Sequence, residues 1–320
     1  MSAAPKSVAV GICTYARPEG IRRVLKALVD VVPDRTAFGG VSVRVIVVDN
    51  DAAGPSRDAV AETAAGAPWP VEYVVEPRRG IPQARNAVVR AAQQRGEWVA
   101  FIDDDETPQP GWLDELLRVQ AGTMADVVAG PVLPVFDETP PRWVRDAGFF
   151  DRSRHPTGRS VLFAATNNVL VSPVVLALSS PTFDESLALS GGEDTVLFRQ
   201  ARLAGLRMVW ADEAVVVEHV PCSRVRVSWL LRREFRRGSS FSVALVRTNP
   251  SLVRRSRRLA HAAKAATQGF AALLRAIWRG RGSAVSGLQR LSFAAGTIAG
   301  LSGRAPQEYA SIHGAYREGE

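Results

Sequence analysis

Asp103-Asp104-Asp105 stands at the end of the apolar stretch 98–102. Three adjacent carboxylates cannot all ionise cheaply unless a cation or hydrogen-bond donors sit among them. Hard oxygen donors at this density suit magnesium or manganese. Such an ion can bridge a diphosphate and neutralise charge on a departing nucleoside diphosphate. The plain alternative is a solvated turn in which Asp105 or Thr107 caps a helix over 110–119.

Other residues offer matching chemistry. Gly191-Gly192-Glu193-Asp194 sets two carboxylates at an expected helix start. A carboxylate beside an acceptor hydroxyl can act as general base, although acids in a first turn are also favoured by the helix dipole alone. His219, two residues before Pro221, can ligate a metal, carry a proton or fill a structural place. Tyr15 can stack on a base or simply pack.

These groups must be positioned by regular elements. Short β-rich runs at 8–13 and 43–48 read as buried strands, and those at 71–75 and 98–102 as a third and fourth strand. Helical spacing follows Pro18 (Ile21, Val24, Leu25, Leu28, Val32), and 58–65 and 82–94 also read as helices. This alternation predicts an α/β fold with a mostly parallel sheet flanked by helices. The polar clusters Thr14–Arg17, Asp49-Asn50-Asp51 and Asp103-Asp104-Asp105 follow strand ends, where open α/β sheets bind ligands. Further strands are expected over 127–135, 161–171 and 207–217, around a Pro-rich loop at 131–156 that suits a lid or acceptor-facing segment. From 227 onward the chain reads as helical, with breaks near Asn249-Pro250 and 280–282.

In order, Thr14-Tyr15-Ala16-Arg17, Val48-Asp49-Asn50-Asp51, Gly80-Ile81-Pro82-Gln83-Ala84-Arg85-Asn86, the three aspartates, Thr166-Asn167-Asn168, Gly192-Glu193-Asp194 and His219 resemble the motifs of family 2 glycosyltransferases of the GT-A fold. The likeness is strongest to the bacterial branch that builds exopolysaccharides, including succinoglycan-type enzymes, and covers roughly 6–221. It implies a catalytic domain over 1–221 and a helical extension over 222–320. It implies an inverting transfer of one sugar from a nucleotide-sugar donor to a glycan, lipid-linked or small-molecule acceptor, aided by manganese or magnesium. Tyr15 and Asp49 would contact the base, with Thr14, Arg17 and Asp51 in the same pocket. Arg85 would bind the nucleotide, and Asp103 and Asp104 the ribose and donor sugar. Asp105, with Asp104 and His219, would hold the metal. Asp194 would be the base, beside Glu193. The central acid leaves the choice between Asp104 and Asp105 as metal ligand open. No Gln-x-x-Arg-Trp motif is present, which favours single transfer over polymerisation.

Bulk properties narrow the alternatives. The 320 residues are 46% hydrophobic, a composition that suits a globular chain with a sizeable core. Cys13 and Cys222, far apart and without metal spacing, predict neither a disulfide framework nor a thiolate site. No leader or membrane span is expected, so the chain reads as cytoplasmic. Residues 221–320 hold 18 Lys and Arg against 4 Asp and Glu, whereas the rest hold 22 against 28. A basic, aromatic-bearing tail predicts peripheral contact with an anionic membrane, on the inner face of the plasma membrane, or a cap packed on the sheet with its arginines outward. A nucleotidyltransferase is disfavoured because Thr14-Tyr15-Ala16-Arg17 lacks glycines. A nucleic-acid-binding protein is disfavoured because no such motif accompanies the charge, and no nucleic-acid partner is expected.

Overall fold

The first hundred residues supply four apolar strands that need cover on both faces. The computed structural model describes residues 5–32, 39–188, 190–249 and 251–302. β1 (Ser7–Thr14), β2 (Ser42–Asp49), β3 (Val71–Val75) and β4 (Trp98–Asp103) pair in parallel. Between them run α1 (Pro18–Val31), α2 (Arg57–Ala64) and α3 (Ile81–Gln93). Alternate strand residues serve opposite faces. Val8, Val10, Ile12 and Val45 share one buried cluster with Ile21, Leu25 and Trp112, on the side of α1 and α4 (Trp112–Thr123). Ala9, Ile46, Val48 and Phe101 share the other with Ala84, Val88 and Leu197, on the side of α3 and α7 (Glu193–Leu203). Burying each large aliphatic side chain contributes roughly 1.5–3 kcal/mol, so this two-sided cover is what holds the strands.

Beyond β4 the expected strands divide. The run 127–135 becomes β6 (Val127–Ala129) and β7 (Val132–Phe136), which lie in different sheets. The switch falls at Gly130, where a Cβ would lie 2.3 Å from the Ala214 carbonyl oxygen. The run 207–217 divides in the same way, into β9 (Met208–Trp210) and β10 (Val216–Val220). Of 161–171 only β8 (Asn168–Val171) is a strand. Of the preceding residues Val161 and Ala164 pack against the core, whereas Leu162 and Phe163 are exposed and Phe163 meets Phe241 edge-on at 5.0 Å. The main sheet has the order β3-β2-β1-β4-β8-β6-β9, with β8 antiparallel to both neighbours. β5 (Glu106–Pro108), β10 and β7 form a second sheet in the order β5-β10-β7. The N-cap of α4 is Gly111, without a side-chain cap; Thr107 lies in β5 and Asp105 is ion-paired, so neither plays the capping part.

Two short helices, α5 (Arg142–Arg145) and α6 (Pro173–Leu176), lie in the connections. The C-terminal part comprises α8 (Val227–Thr248), α9 (Leu252–Arg279) and α10 (Arg281–Leu301), broken where expected. Ser251 caps α9, and Gly280, at φ +73°, turns the chain into α10. α10 packs against both α8 and α9 at close range. A Cβ on Gly296 would fall 1.9 Å from the Phe235 carbonyl oxygen, and Gly269 and Gly287 meet across α9 and α10. α8 docks on the body through Leu230, buried with Val144 and Val220, and through Val243 and Ala244, buried with Leu187 and Val196. No described helix is long and apolar enough to cross a membrane. The part of the expected extension over 303–320 lies outside the described residues.

Candidate active site

A cavity of about 550 Å³ opens at the carboxyl ends of β1 and β4. Thr14, Tyr15, Arg17, Arg85 and the three aspartates line it, together with Asn50 and Arg79. Its far wall comes from Phe149–Arg152 and from Trp229, Arg233, Arg236 and Arg237 of α8. Those arginines therefore face the cavity, where the sequence suggested an outward or membrane-facing surface.

On the β2 side Asp49 is fully buried. It accepts hydrogen bonds from the Ser56 amide at 2.9 Å, the Tyr73 hydroxyl at 2.9 Å and the Asp51 amide at 3.3 Å. Asp51 accepts from the Ala53 amide at 3.0 Å. Both acids shape the turn, and neither lines the cavity. The cavity-lining residue between them is Asn50. Its side chain donates to the carbonyls of Glu76 and Arg78 at 2.9 Å each and accepts from the Gly80 amide at 2.7 Å. This pins the 76–80 segment, so that the Arg79 guanidinium lies 4.6 Å from the Tyr15 ring centroid. The sequence showed Tyr15 but not its partner, because the two meet only once β1 and β2 pair.

The three aspartates have different partners. Asp104 accepts from the Thr14 hydroxyl at 2.8 Å and pairs with Arg17 at 2.9 Å, one oxygen to each. Asp105 pairs with Arg224 at 2.7 Å and lies 3.6 Å from Arg17. Asp103, the most exposed, lies 3.5 Å from Arg85. Buried Glu106 accepts from the Asp103 amide at 3.1 Å and from Asn167 at 2.9 Å. Glu218 pairs with Arg152 and Arg224. Withdrawal from bulk solvent, added to the charges of Asp105 and Asp104, pushes the Asp103 carboxyl up to about 7 against the pull of Arg85. Burial raises Asp104 and Glu106 as well. This surplus of oxygen donors and negative charge suits a hard divalent cation. Yet among the described residues no three His, Cys, Asp or Glu form a ready metal cluster. The expected set of Asp104, Asp105 and His219 is not gathered. Arginines engage both aspartates, and the His219 ring lies 3.2 Å from the Thr107 hydroxyl. His219 instead meets Asp105 through the backbone, its amide donating to the Asp105 carbonyl at 3.0 Å. Burial lowers the pKa of its imidazole.

Glu193 and Asp194 open α7 beside Arg85. Glu193 is buried and ion-paired to Arg85. Asp194 is half-buried and accepts from the Thr195 amide at 2.5 Å. Neither lines the cavity. Arg85 thus stands between Glu193 and cavity-facing Asp103. On the opposite wall Phe150 and Trp229 stack with centroids 5.8 Å apart and planes at 10°, and Arg233 lies 5.2 Å from each ring. Trp229 had no signal in the sequence, because its role depends on α8 folding back over the sheet edge.

The fold and the acid-lined cleft at the strand ends define a glycosyltransferase of the GT-A fold. The chain belongs to the family described as Glycosyl transferase family 2, whose model matches residues 9–176. It is 36% identical to the succinoglycan biosynthesis protein ExoM of Rhizobium meliloti, over 72% of each chain. It is 28% identical to the pre-mycofactocin glycosyltransferase of Mycobacterium tuberculosis, over 63% of this chain and 43% of that one. Among solved structures, the mannosyltransferase PcManGT from Pyrobaculum calidifontis, in complex with GDP-Man and Mn2+, shares the fold. Its TM-score is 0.64 at 18% identity, covering 94% of this chain and 88% of that one.

Proposed function

We propose that the protein transfers a single sugar, with inversion, from a nucleotide-diphosphate sugar to an acceptor hydroxyl during assembly of a cell-surface polysaccharide. One observation carries this reading: a single cavity has an acid wall from the end of β4 and an arginine–aromatic wall from α8. Donor and acceptor would meet between them. The likeness to ExoM supports the polysaccharide setting, and the GDP-Man and Mn2+ of PcManGT support a nucleotide-sugar donor and a divalent ion.

In this reading the base rests between Tyr15 and Arg79, above the turn shaped by Asp49 and Asp51. Arg85 meets the nucleotide. Asp105 and Asp103 would hold the cation, since Thr14 and Arg17 engage both oxygens of Asp104 whereas Arg224 and Arg17 share a single oxygen of Asp105. When bound, that ion supplies charge neutralisation for the leaving diphosphate. Asp194 would take the acceptor proton, because Glu193 is already committed to Arg85; it stands outside the cavity lining, so the acceptor hydroxyl must reach it past Arg85. The acceptor oxygen forms its bond to the anomeric carbon on the face opposite the diphosphate. The bond from that carbon to phosphate oxygen breaks, and its electron pair leaves with the nucleotide. The Phe150–Trp229 shelf suits a sugar ring of the acceptor, and the arginines around it suit an anionic group on a glycan, lipid-linked or small-molecule acceptor. We take residues 1–221 as the catalytic domain and the helices after 222 as a part that completes its acceptor side.

The test is a thermal-shift and calorimetric screen of GDP- and UDP-sugars with manganese, magnesium or EDTA. A nucleotide sugar that binds only with metal, and less well to Asp105→Asn, is the expected result. Absence of binding by every nucleotide sugar would overturn the reading.

A further inference from the structure

α9 carries its apolar residues on the wrong side for a helix that ends at water. Its inner face is small: Ala262, Gly269 and Ala272 are buried, and α10 packs on them through Gly287. Its outer face carries Leu252, Leu259, Phe270, Leu274 and Ile277, at spacings that fall on one line of a helix. Leu252, Phe270, Leu274, Ile277 and neighbouring Trp278 are each 60–82% exposed. An outward helix face is ordinarily polar, and an exposed apolar patch of this extent marks an interaction surface. Along one flank lie Arg257, Lys264 and Arg275, all exposed. The whole helix has seven cations and no acid, and the chain has no Asp or Glu between Glu234 and Glu308.

We propose that α9 lies in the plane of an anionic lipid surface, with Leu252, Phe270, Leu274 and Ile277 in the acyl boundary and the cationic flank among the headgroups. An apolar stripe some 40 Å long beside a row of cations is the pattern of an interfacial helix. A second copy of the chain is a poorer occupant, because two such faces would bring cation against cation. The helix also has a fixed relation to the cavity. At the α9–α10 turn Arg281 lies 4.6 Å from the Trp143 ring, and Trp143 packs against Phe149 of the cavity wall. The Trp278 end of the stripe therefore sits beside the segment that borders the acceptor side.

The experiment is co-sedimentation of the full chain with phosphatidylcholine vesicles, with and without about a third phosphatidylglycerol, at low and high salt. Binding only to the anionic vesicles, weakened by salt, is expected. Leu274→Glu with Ile277→Glu brings binding to background. Arg257→Gln, Lys264→Gln and Arg275→Gln together weaken it roughly 100-fold, at about 1 kcal/mol for each surface cation. Both variants keep the wild-type melting temperature and nucleotide-sugar binding. Brominated lipids quench wild-type tryptophan fluorescence, and Trp278→Phe removes most of that quenching, a readout that stands even if the glutamate variant fails to fold. No binding to anionic vesicles at low salt overturns the proposal. So does undiminished binding by the glutamate variant, or a wild-type dimer that this variant dissociates without any vesicle binding.

Discussion

At the scale of single residues, Arg85 decides which acids remain for chemistry. It pairs with Glu193 and approaches Asp103, so adjacent carboxylates on α7 have different work. Asp194→Asn is expected to retain nucleotide-sugar binding and to lower turnover by about 10²–10⁴-fold, the usual contribution of a general base. A turnover assay beside calorimetry checks this, and wild-type turnover would remove Asp194 from the role. Asp104 and Asp105 are expected to separate as well. Asp104→Asn gives up the pairing with Arg17 and loses thermal stability, whereas Asp105→Asn loses metal-dependent donor binding. Cys13 offers a third test. Burial pushes its thiol up to about 12, so at pH 8 it carries far less thiolate than an ordinary cysteine and reacts slowly. A disulfide reagent should titrate one thiol in the native protein, that of exposed Cys222, and two after denaturation. Cys222→Ser should remove the native reaction.

At the scale of elements, α8 is both a packing helix and a cavity wall. Trp229→Ala removes one ring of the stacked pair and is expected to raise the acceptor KM while leaving donor affinity unchanged; a KM series with fixed donor checks this. Gly296→Val forces a side chain into the α8 backbone and should lower stability by about 1–3 kcal/mol or more, read from a denaturant melt. The strands β1 to β4 and the helices between them were legible in the sequence because each is a short run of one period bounded by turn residues, even β3 at the sheet edge. The divided strands were not legible. The run 127–135 carries Gly130-Pro131 at its point of division, a break that a reading of its apolar residues alone passes over, and the approach of Ala214 and Asn168 to Gly130 shows why it must change sheets. The site was legible in the same proportion. Thr14, Tyr15, Arg17, Arg85 and the aspartates follow strand ends and could be read. Glu106, Glu218, Phe150 and Trp229 join the site through tertiary pairing, which has no local period.

At the scale of the whole molecule, the acidic body and basic C-terminal part meet across the cavity. Arg224 joins Asp105 and Glu218 from the basic side. A chain ending at residue 221 is therefore expected to be less stable than the full protein and to lose acceptor turnover, because Leu230, Val243 and Ala244 no longer cover the body. A melt and a turnover assay of that truncation check both parts. The two sheets have a mechanical consequence as well. The chain crosses from the main sheet to the small one three times: through Asp104 and Asp105 between β4 and β5, at Gly130, and again between β9 and β10. Asp103 stands on one sheet, and Glu106 and Glu218 stand on the other. Three crossings act together as struts, so the small sheet resists swinging outward to separate the carboxylates. A packed interior yields little to such a force. The repulsion among these acids is held by the frame of the protein, and the cation proposed above would relieve it without first having to draw the walls together.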